Sequence, residues 1–431
     1  MTKRGWMPTR PLYLRLNFMN YSSRYKFILL YLLVFLLSGC GNPAATITEA
    51  SPTSVVSPSP VKTSTLEPTP TSIPSEPTLE ASPTLAGETP TTQAPAINQI
   101  LDLTFVDALH GWLIGSQCDN QGNCTLAVRS SQDGGKTWRS EPAPCTGIAW
   151  NGESAPSHDV RNIRFANLKE GWAFEPGLFA TQDGGKTWTD ETRAQPVIAL
   201  QPVQDSVWAI QGSCRSENQC NFSLIQWNPA KNNWQPLNLQ PQILRSQVQL
   251  VRHKGQDAWV LSWGSGSPPS KPANILAITH DGGENWIKGS SPCTEAGLFT
   301  NRLAAVDSHQ VWTVCAGEPG AGQQMKYLFK SSDGGESWGE GIEIGSGGYL
   351  DDLAAITSDT GFLGVGRGTL MATQDGGQSW SPAIPISKAN PTDTSGWRIV
   401  FVDTQNGWAS LGRLVFRTTD GGKTWEISSV S

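Results

Sequence analysis

The chain has 431 residues, among them 44 Gly, 30 Pro and 18 Trp, with 16% charged residues and a formal net charge of −6. So much Gly and Pro at low charge suits a loop-rich all-β protein. An acidic chain without a basic stripe is also a poor binder of nucleic acid.

Residues Phe27–Leu37 form an apolar run behind Arg24 and Lys26 and lead into Leu37-Ser38-Gly39-Cys40. The run is too short to span a bilayer and reads as the apolar core of a signal peptide. Leu-Ser-Gly-Cys resembles the lipobox of bacterial lipoproteins, in which the Cys is acylated and becomes the mature N-terminus. The resemblance implies a lipoprotein signal peptide over 1–40, a lipid anchor on Cys40, and a place on the extracytoplasmic face of the cell membrane. Residues 41–96 are Pro, Thr, Ser and Ala with scattered Glu and no apolar period. They are expected to be a disordered tether with a reach of ~3.1 Å per residue where extended.

From residue 97 onward two phrases alternate. The first, Phe105-Val-Asp107-x3-Gly111-Trp112, returns at Phe165–Trp172 and Phe401–Trp408, with weaker copies ending at Trp208, Trp259, Trp312 and Phe362. It reads as strand, tight turn, strand. The second is an octapeptide, Ser/Thr-x-Asp-Gly-Gly-x-(Ser/Thr/Asn)-Trp, present at Ser131–Trp138, Thr181–Trp188, Thr279–Trp286, Ser331–Trp338, Thr373–Trp380 and Thr418–Trp425. Its Asp is expected to cap nearby backbone N–H groups, its glycines to adopt positive φ, and its Trp to pack between units. The unit without an octapeptide has Asn228-Pro229 and Trp234 in its place. Seven repeats of ~48 residues predict an all-β fold, a seven-bladed β-propeller of four-stranded antiparallel blades over 97–431.

In such a meander the short, uniform turns share one face of the ring, and the irregular insertions fall on the other. Those insertions are 118–124, 214–220, 264–273 and 317–324 between second and third strands, and 139–159, 288–301 and 381–396 between blades. Loops on a rigid scaffold carry function, so the working face is expected opposite the octapeptides. Cys118/Cys124 and Cys214/Cys220 share one spacing at one point of the repeat and are expected to form loop staples. Cys293 and Cys315 are placed to join a connection to a strand end, which leaves Cys145 over. The His residues are scattered and no Cys-x2-Cys pair occurs, so the sequence offers no metal site and no cofactor.

The octapeptide resembles the Asp-box, or bacterial neuraminidase repeat, and the combined unit resembles the photosystem II stability/assembly factor family. That resemblance implies a seven-bladed propeller that binds newly made membrane-protein subunits and is not an enzyme. Sialidases share the box but need an Arg-Ile-Pro motif, which this chain lacks. A glycosidase needs two opposed carboxylates. Asp351 and Asp352, beside Tyr349, are the best candidates, and a solvated acidic turn is the plainer reading. The expected function is a membrane-anchored, non-catalytic protein-binding scaffold; the alternative is a carbohydrate-binding or sialidase-like propeller with a glycan ligand. Trp150, Trp263 and Trp397 lie off the repeat positions near the expected working face, where exposed aromatics stack on sugars or anchor peptides. With Arg398 and Tyr349 they form the candidate binding set.

Overall fold

The computed structural model describes residues 96–430, apart from 120, 122, 146–159, 205, 217–218, 241–245, 265–273, 299 and 385–395. The chain divides into Met1–Gly39 and Cys40–Ser431, and every described residue belongs to the second unit. The signal peptide, Cys40 and most of the tether lie outside the described residues.

Seven four-stranded antiparallel sheets follow one another, each built from four consecutive strands, here A to D. Blade 1 comprises Gln99–Phe105, Gly111–Cys118, Cys124–Ser131 and Arg139–Glu141; blade 2, Asn162–Phe165, Gly171–Phe174, Leu178–Thr181 and Thr189–Asp190. Blade 3 is Val197–Val203, Ser206–Ser216, Gln219–Asn228 and Asn233–Leu237; blade 4, Gln247–His253, Asp257–Trp263, Ile275–Thr279 and Ile287–Gly289. Blade 5 is Thr300–Ala305, Val311–Ala316, Gln323–Ser331 and Ile342–Gly347; blade 6, Leu350–Ala355, Gly361–Val365, Thr369–Thr373 and Ser381–Pro382. Blade 7 is Arg398–Phe401, Gly407–Leu411, Leu414–Thr418 and Glu426–Ser429. Strand A of each blade touches strand A of the next, and that of blade 7 touches that of blade 1, so the ring is closed with the A strands innermost.

The first phrase folds as it does because its Asp or Asn accepts the backbone N–H groups that follow. Asp107 Oδ1 takes Leu109 and His110, and Asp307 and Asp403 repeat the pattern. Gly111 pairs across the sheet with Phe105, whose ring would lie 2.4 Å from any added Cβ. Gly171 and Gly407 meet Phe165 and Phe401 in the same way, which is why Gly precedes Trp in the full copies.

In the octapeptide the first Ser or Thr hydroxyl donates to the Asp and accepts the second Gly N–H, while the Asp accepts both the N–H and the side chain of the residue before Trp. Both glycines have φ between 73° and 97° in all six copies, a region closed to most side chains. The first Gly N–H reaches the A–B turn of its own blade, as Gly134 does to Leu109 O at 2.8 Å and Gly334 to His309 O at 2.7 Å. The two turns therefore sit together on one face, and the B–C and D–A connections emerge on the other. Blade 3 makes its turn through Asn228, and Trp227 and Trp234 pack at 5.5 Å in place of the octapeptide Trp.

Packing between blades uses the Trp that follows Gly. Trp112 stacks on Phe165 of blade 2 at 3.8 Å and donates Nε1–H to Gly184 O. Trp408 stacks on Phe105 at 3.6 Å and donates to Gly134 O at 2.8 Å, so the same device joins blade 7 to blade 1. Among the described residues no strand is exchanged at that seam; Ile97, Ile100, Phe105, Trp408, Val415 and Val430 close it by burial, with Ile100 N–H donating to Gly412 O.

Candidate functional site

Counting back three residues from the strand A residue that opposes the position before the repeat aromatic (Gly111, Gly171, Val207, Ala258, Val311, Gly361 and Gly407) gives one position per blade: Asp102, Asn162, Ala199, Gln249, Arg302, Asp352 and Arg398. Six of the seven are polar, and they form a belt on the innermost strands. Where the residue is an acceptor it takes the N–H of the next blade's strand A. Asp102 accepts from Ile163 (3.0 Å), Gln249 from Leu303 (2.9 Å) and Asp352 from Ile399 (2.9 Å). Where it is Arg it points across as a donor: Arg302 Nε bonds Asp351 O at 2.7 Å, and Arg398 Nε stands 4.0 Å from Asp102 Oδ1. Arg164, half-buried, completes an ion pair with the buried Asp102, and Asn162 donates to Glu175, which lies in the B–C turn of blade 2.

Burial sets the electrostatics of this belt. It raises Glu175 and Asp352 above the usual carboxylate range and raises Asp351 to about 6, while Arg302 is pushed down by the same loss of water. Acids and bases compensate one another, and Arg398, its side chain 42% exposed, is the belt's open cation. The octapeptide carboxylates behave oppositely: hydrogen bonds from the hydroxyls of Ser337, Ser379 and Thr424 hold Asp333, Asp375 and Asp420 down to about 2. They are committed acceptors inside their turns.

The candidate residues are dispersed by this geometry. Trp397 is fully buried, filling the wedge between blades 6 and 7 against Phe416 and over Gly364, where an added Cβ would meet it at 2.4 Å. Trp263 is 6% exposed, packed between blades 4 and 5 with the Arg302 guanidinium 5.6 Å from its ring. Neither is an exposed binding aromatic: each is part of the inter-blade core, Trp263 in one cluster with Trp259 and Trp397 in one cluster with Phe362. Trp150 lies outside the described residues. Tyr349 is 43% exposed on the connection into blade 6 and accepts Gly322 N–H on its hydroxyl at 3.1 Å. A bulge between Leu350 and Asp352 turns Asp351 and Asp352 toward blade 7, where they accept from Trp397 N (3.4 Å) and Ile399 N (2.9 Å). Both are neighbours on one strand and tied to one blade, not opposed across a cleft, so they are neither a solvated turn nor a glycosidase pair.

Cys118–Cys124, Cys214–Cys220 and Cys293–Cys315 are disulfide-bonded, and Cys145 is buried in the packing between blades 1 and 2. The first two staple B–C hairpins; the third ties a one-turn helix, Pro292–Glu295, to the end of strand B of blade 5. Among the described residues no group of three or more His, Cys, Asp or Glu is arranged to hold a metal ion. Sequence reading missed the belt and a second feature: Lys326, fully buried, donates to Gln324 O, Gly347 O and Gly348 O at 2.6–2.9 Å. The signal available was a polar residue at one fixed position of strand A, counted back from the repeat aromatic, in six of the seven blades.

No protein-family model matches the sequence, and no curated protein matches it. Among solved structures, the chain is similar to YCF48 bound to D1 peptide, at 21% identity and a TM-score of 0.51, covering 75% of this chain and 94% of that one. It is likewise similar to YCF48 from Cyanidioschyzon merolae, at 18% identity and a TM-score of 0.51, covering 77% and 98%. The likeness is one of fold, and it agrees with the architecture built up from the residues: a seven-bladed propeller of four-stranded blades.

Proposed function

We propose that this chain is a non-catalytic binding propeller, anchored outside the cytoplasmic membrane through Cys40, that holds a polypeptide partner on the face carrying its B–C and D–A loops. The observation behind this reading is the asymmetry of the two faces. On the turn face the octapeptide carboxylates are consumed by their own hydrogen bonds. The opposite face bears the three disulfides, the exposed side chains of Met325 and Tyr349, and the end of the belt that carries Arg398. Rigid loops with apolar anchors beside compensated charge suit peptide recognition better than bond cleavage. YCF48, of the same fold, has been solved with a D1 peptide; a peptide segment of a membrane protein is the ligand class this reading gives the present chain. Leu37-Ser38-Gly39-Cys40 supports the anchor.

Site-specific photocrosslinkers at Tyr349, at Arg398 and, on the turn face, at Leu168 test the reading in membranes of the native host. A single polypeptide crosslinked from the first two positions and not from Leu168 is expected. Equal capture from Leu168 would refute the assignment of the face, and sugar released from sialosides or β-glucans would refute the non-catalytic reading.

A further inference from the structure

Between blades 5 and 6, on the loop face, lies a cavity of about 250 Å³. Its floor is apolar: Ile344 from strand D of blade 5, with Val365 and Met371 from blade 6. Its wall is bare backbone at Gly345 and Gly347, where an added Cβ would meet nothing within 4 Å. The ionisable side chains lining it are both basic, Lys326 and Arg367. Lys326 spends its three donors on carbonyl oxygens and contributes positive potential only, with Asp351 as its opposing charge. Arg367 is exposed and spends one N–H on Ala321 O at 3.3 Å, which leaves its guanidinium fork at the mouth open to a further acceptor.

An apolar floor, an unfilled wall and a cationic mouth without a lining carboxylate match one kind of molecule. We propose that this cavity binds a small organic monoanion with an apolar tail, of the short-chain carboxylate class, its tail against Met371 and its carboxylate on Arg367. Arg presents paired N–H groups that fit a carboxylate, and the surrounding apolar lining strengthens that contact. The site is separate from the belt and stands whether or not a polypeptide docks on the same face.

Hexanoate, hexanol and acetate titrated into the folded protein by calorimetry or ligand-observed NMR test it. Hexanoate should bind at least tenfold more tightly than hexanol, which lacks the charge, or acetate, which lacks the tail. Arg367→Asn, which tolerates the positive φ of 71° at this position, should reduce hexanoate to the hexanol level. Gly347→Leu should abolish binding by filling the cavity, in a protein whose melting curve and backbone NMR spectrum remain those of the parent. Hexanoate binding no tighter than both controls, or binding unchanged by Gly347→Leu in the folded variant, would overturn the proposal.

Discussion

Replacing Trp408 by Ala should loosen the ring at one place. Trp408 is fully buried, stacks on Phe105 at 3.6 Å and donates to Gly134 O at 2.8 Å across the seam between blades 7 and 1. A buried indole removes roughly 200 Å² from water, which at about 25 cal/mol per Å² is worth about 5 kcal/mol as an upper bound. Large-to-small changes of this kind cost about 3–5 kcal/mol in practice, and the orphaned Gly134 carbonyl adds to the loss. Trp112→Ala removes an equivalent contact, with a stack at 3.8 Å and a bond to Gly184 O, and should cost a similar amount in urea unfolding. The two differ in what else holds the junction. Blades 1 and 2 are joined by the chain itself, whereas among the described residues blades 7 and 1 are held by side-chain burial, hydrogen bonds such as Ile100 N to Gly412 O, and the Arg398–Asp102 pair at 4.0 Å. In Trp408→Ala the seam should therefore open locally, and about 4 kcal/mol corresponds to roughly a thousandfold faster exchange of its amides. Hydrogen exchange read on peptides spanning 97–105 and 407–418 tests this. Equal acceleration at that seam in Trp112→Ala, or none in Trp408→Ala, would show that the ring does not depend on this stack.

Four further outcomes follow. Trp397→Ala should destabilise the protein by about 3–5 kcal/mol in denaturant titration; full stability with loss of partner binding would contradict its place in the core. Asp351, raised to about 6 by burial, binds its proton more tightly folded than unfolded, so its contribution to stability is full below about pH 4 and falls as pH rises through 6. Asp351→Asn should accordingly raise the urea midpoint at about pH 8 and lose that advantage at about pH 4. The octapeptide carboxylates act in the other sense: held down to about 2, Asp333, Asp375 and Asp420 favour the fold above about pH 4, and that contribution drains away as pH falls toward 2. The wild-type midpoint should thus drop steeply below about pH 4, and less steeply in Asp333→Asn. Opening Cys293–Cys315, 22 residues apart, should cost about 3 kcal/mol by loop entropy, against about 2 for Cys118–Cys124 at 6; Cys→Ser pairs compared by urea unfolding check the order.

The ring was legible in the sequence because its determinants are local. Gly111 and Trp112 lie beside the turn that requires them, and Asp133 caps residues within four positions of itself, so each pattern repeats at a readable interval. The two matched cysteine spacings were legible for the same reason. The belt was not, since Asp102 has meaning only against Ile163 and Arg164, and Asp352 only against Ile399, contacts that exist after the blades are placed side by side. Trp263 and Trp397 misled because they stand off the repeat, and distance from the repeat was read as exposure. A wedge between blades accepts an indole from any strand end that reaches it. The seam between blades 7 and 1 was legible only in part: Phe105, Trp408 and Gly134 belong to the repeated phrases, whereas Ile97, Ile100 and Val430 at the two ends of the domain carry no motif.

Each sheet consists of four consecutive strands, and Ile97 and Val430 end in one cluster. Almost all strand pairing in this fold is therefore available as soon as the corresponding stretch of chain leaves the ribosome, and closure of the ring waits for blade 7. The same arrangement makes the order of blades separable from their architecture. A short peptide joining the two ends, with a new break opened in any D–A connection, would give a permuted chain with the same seven sheets. The former seam would then be covalently linked, and the cut junction would be held by side chains alone.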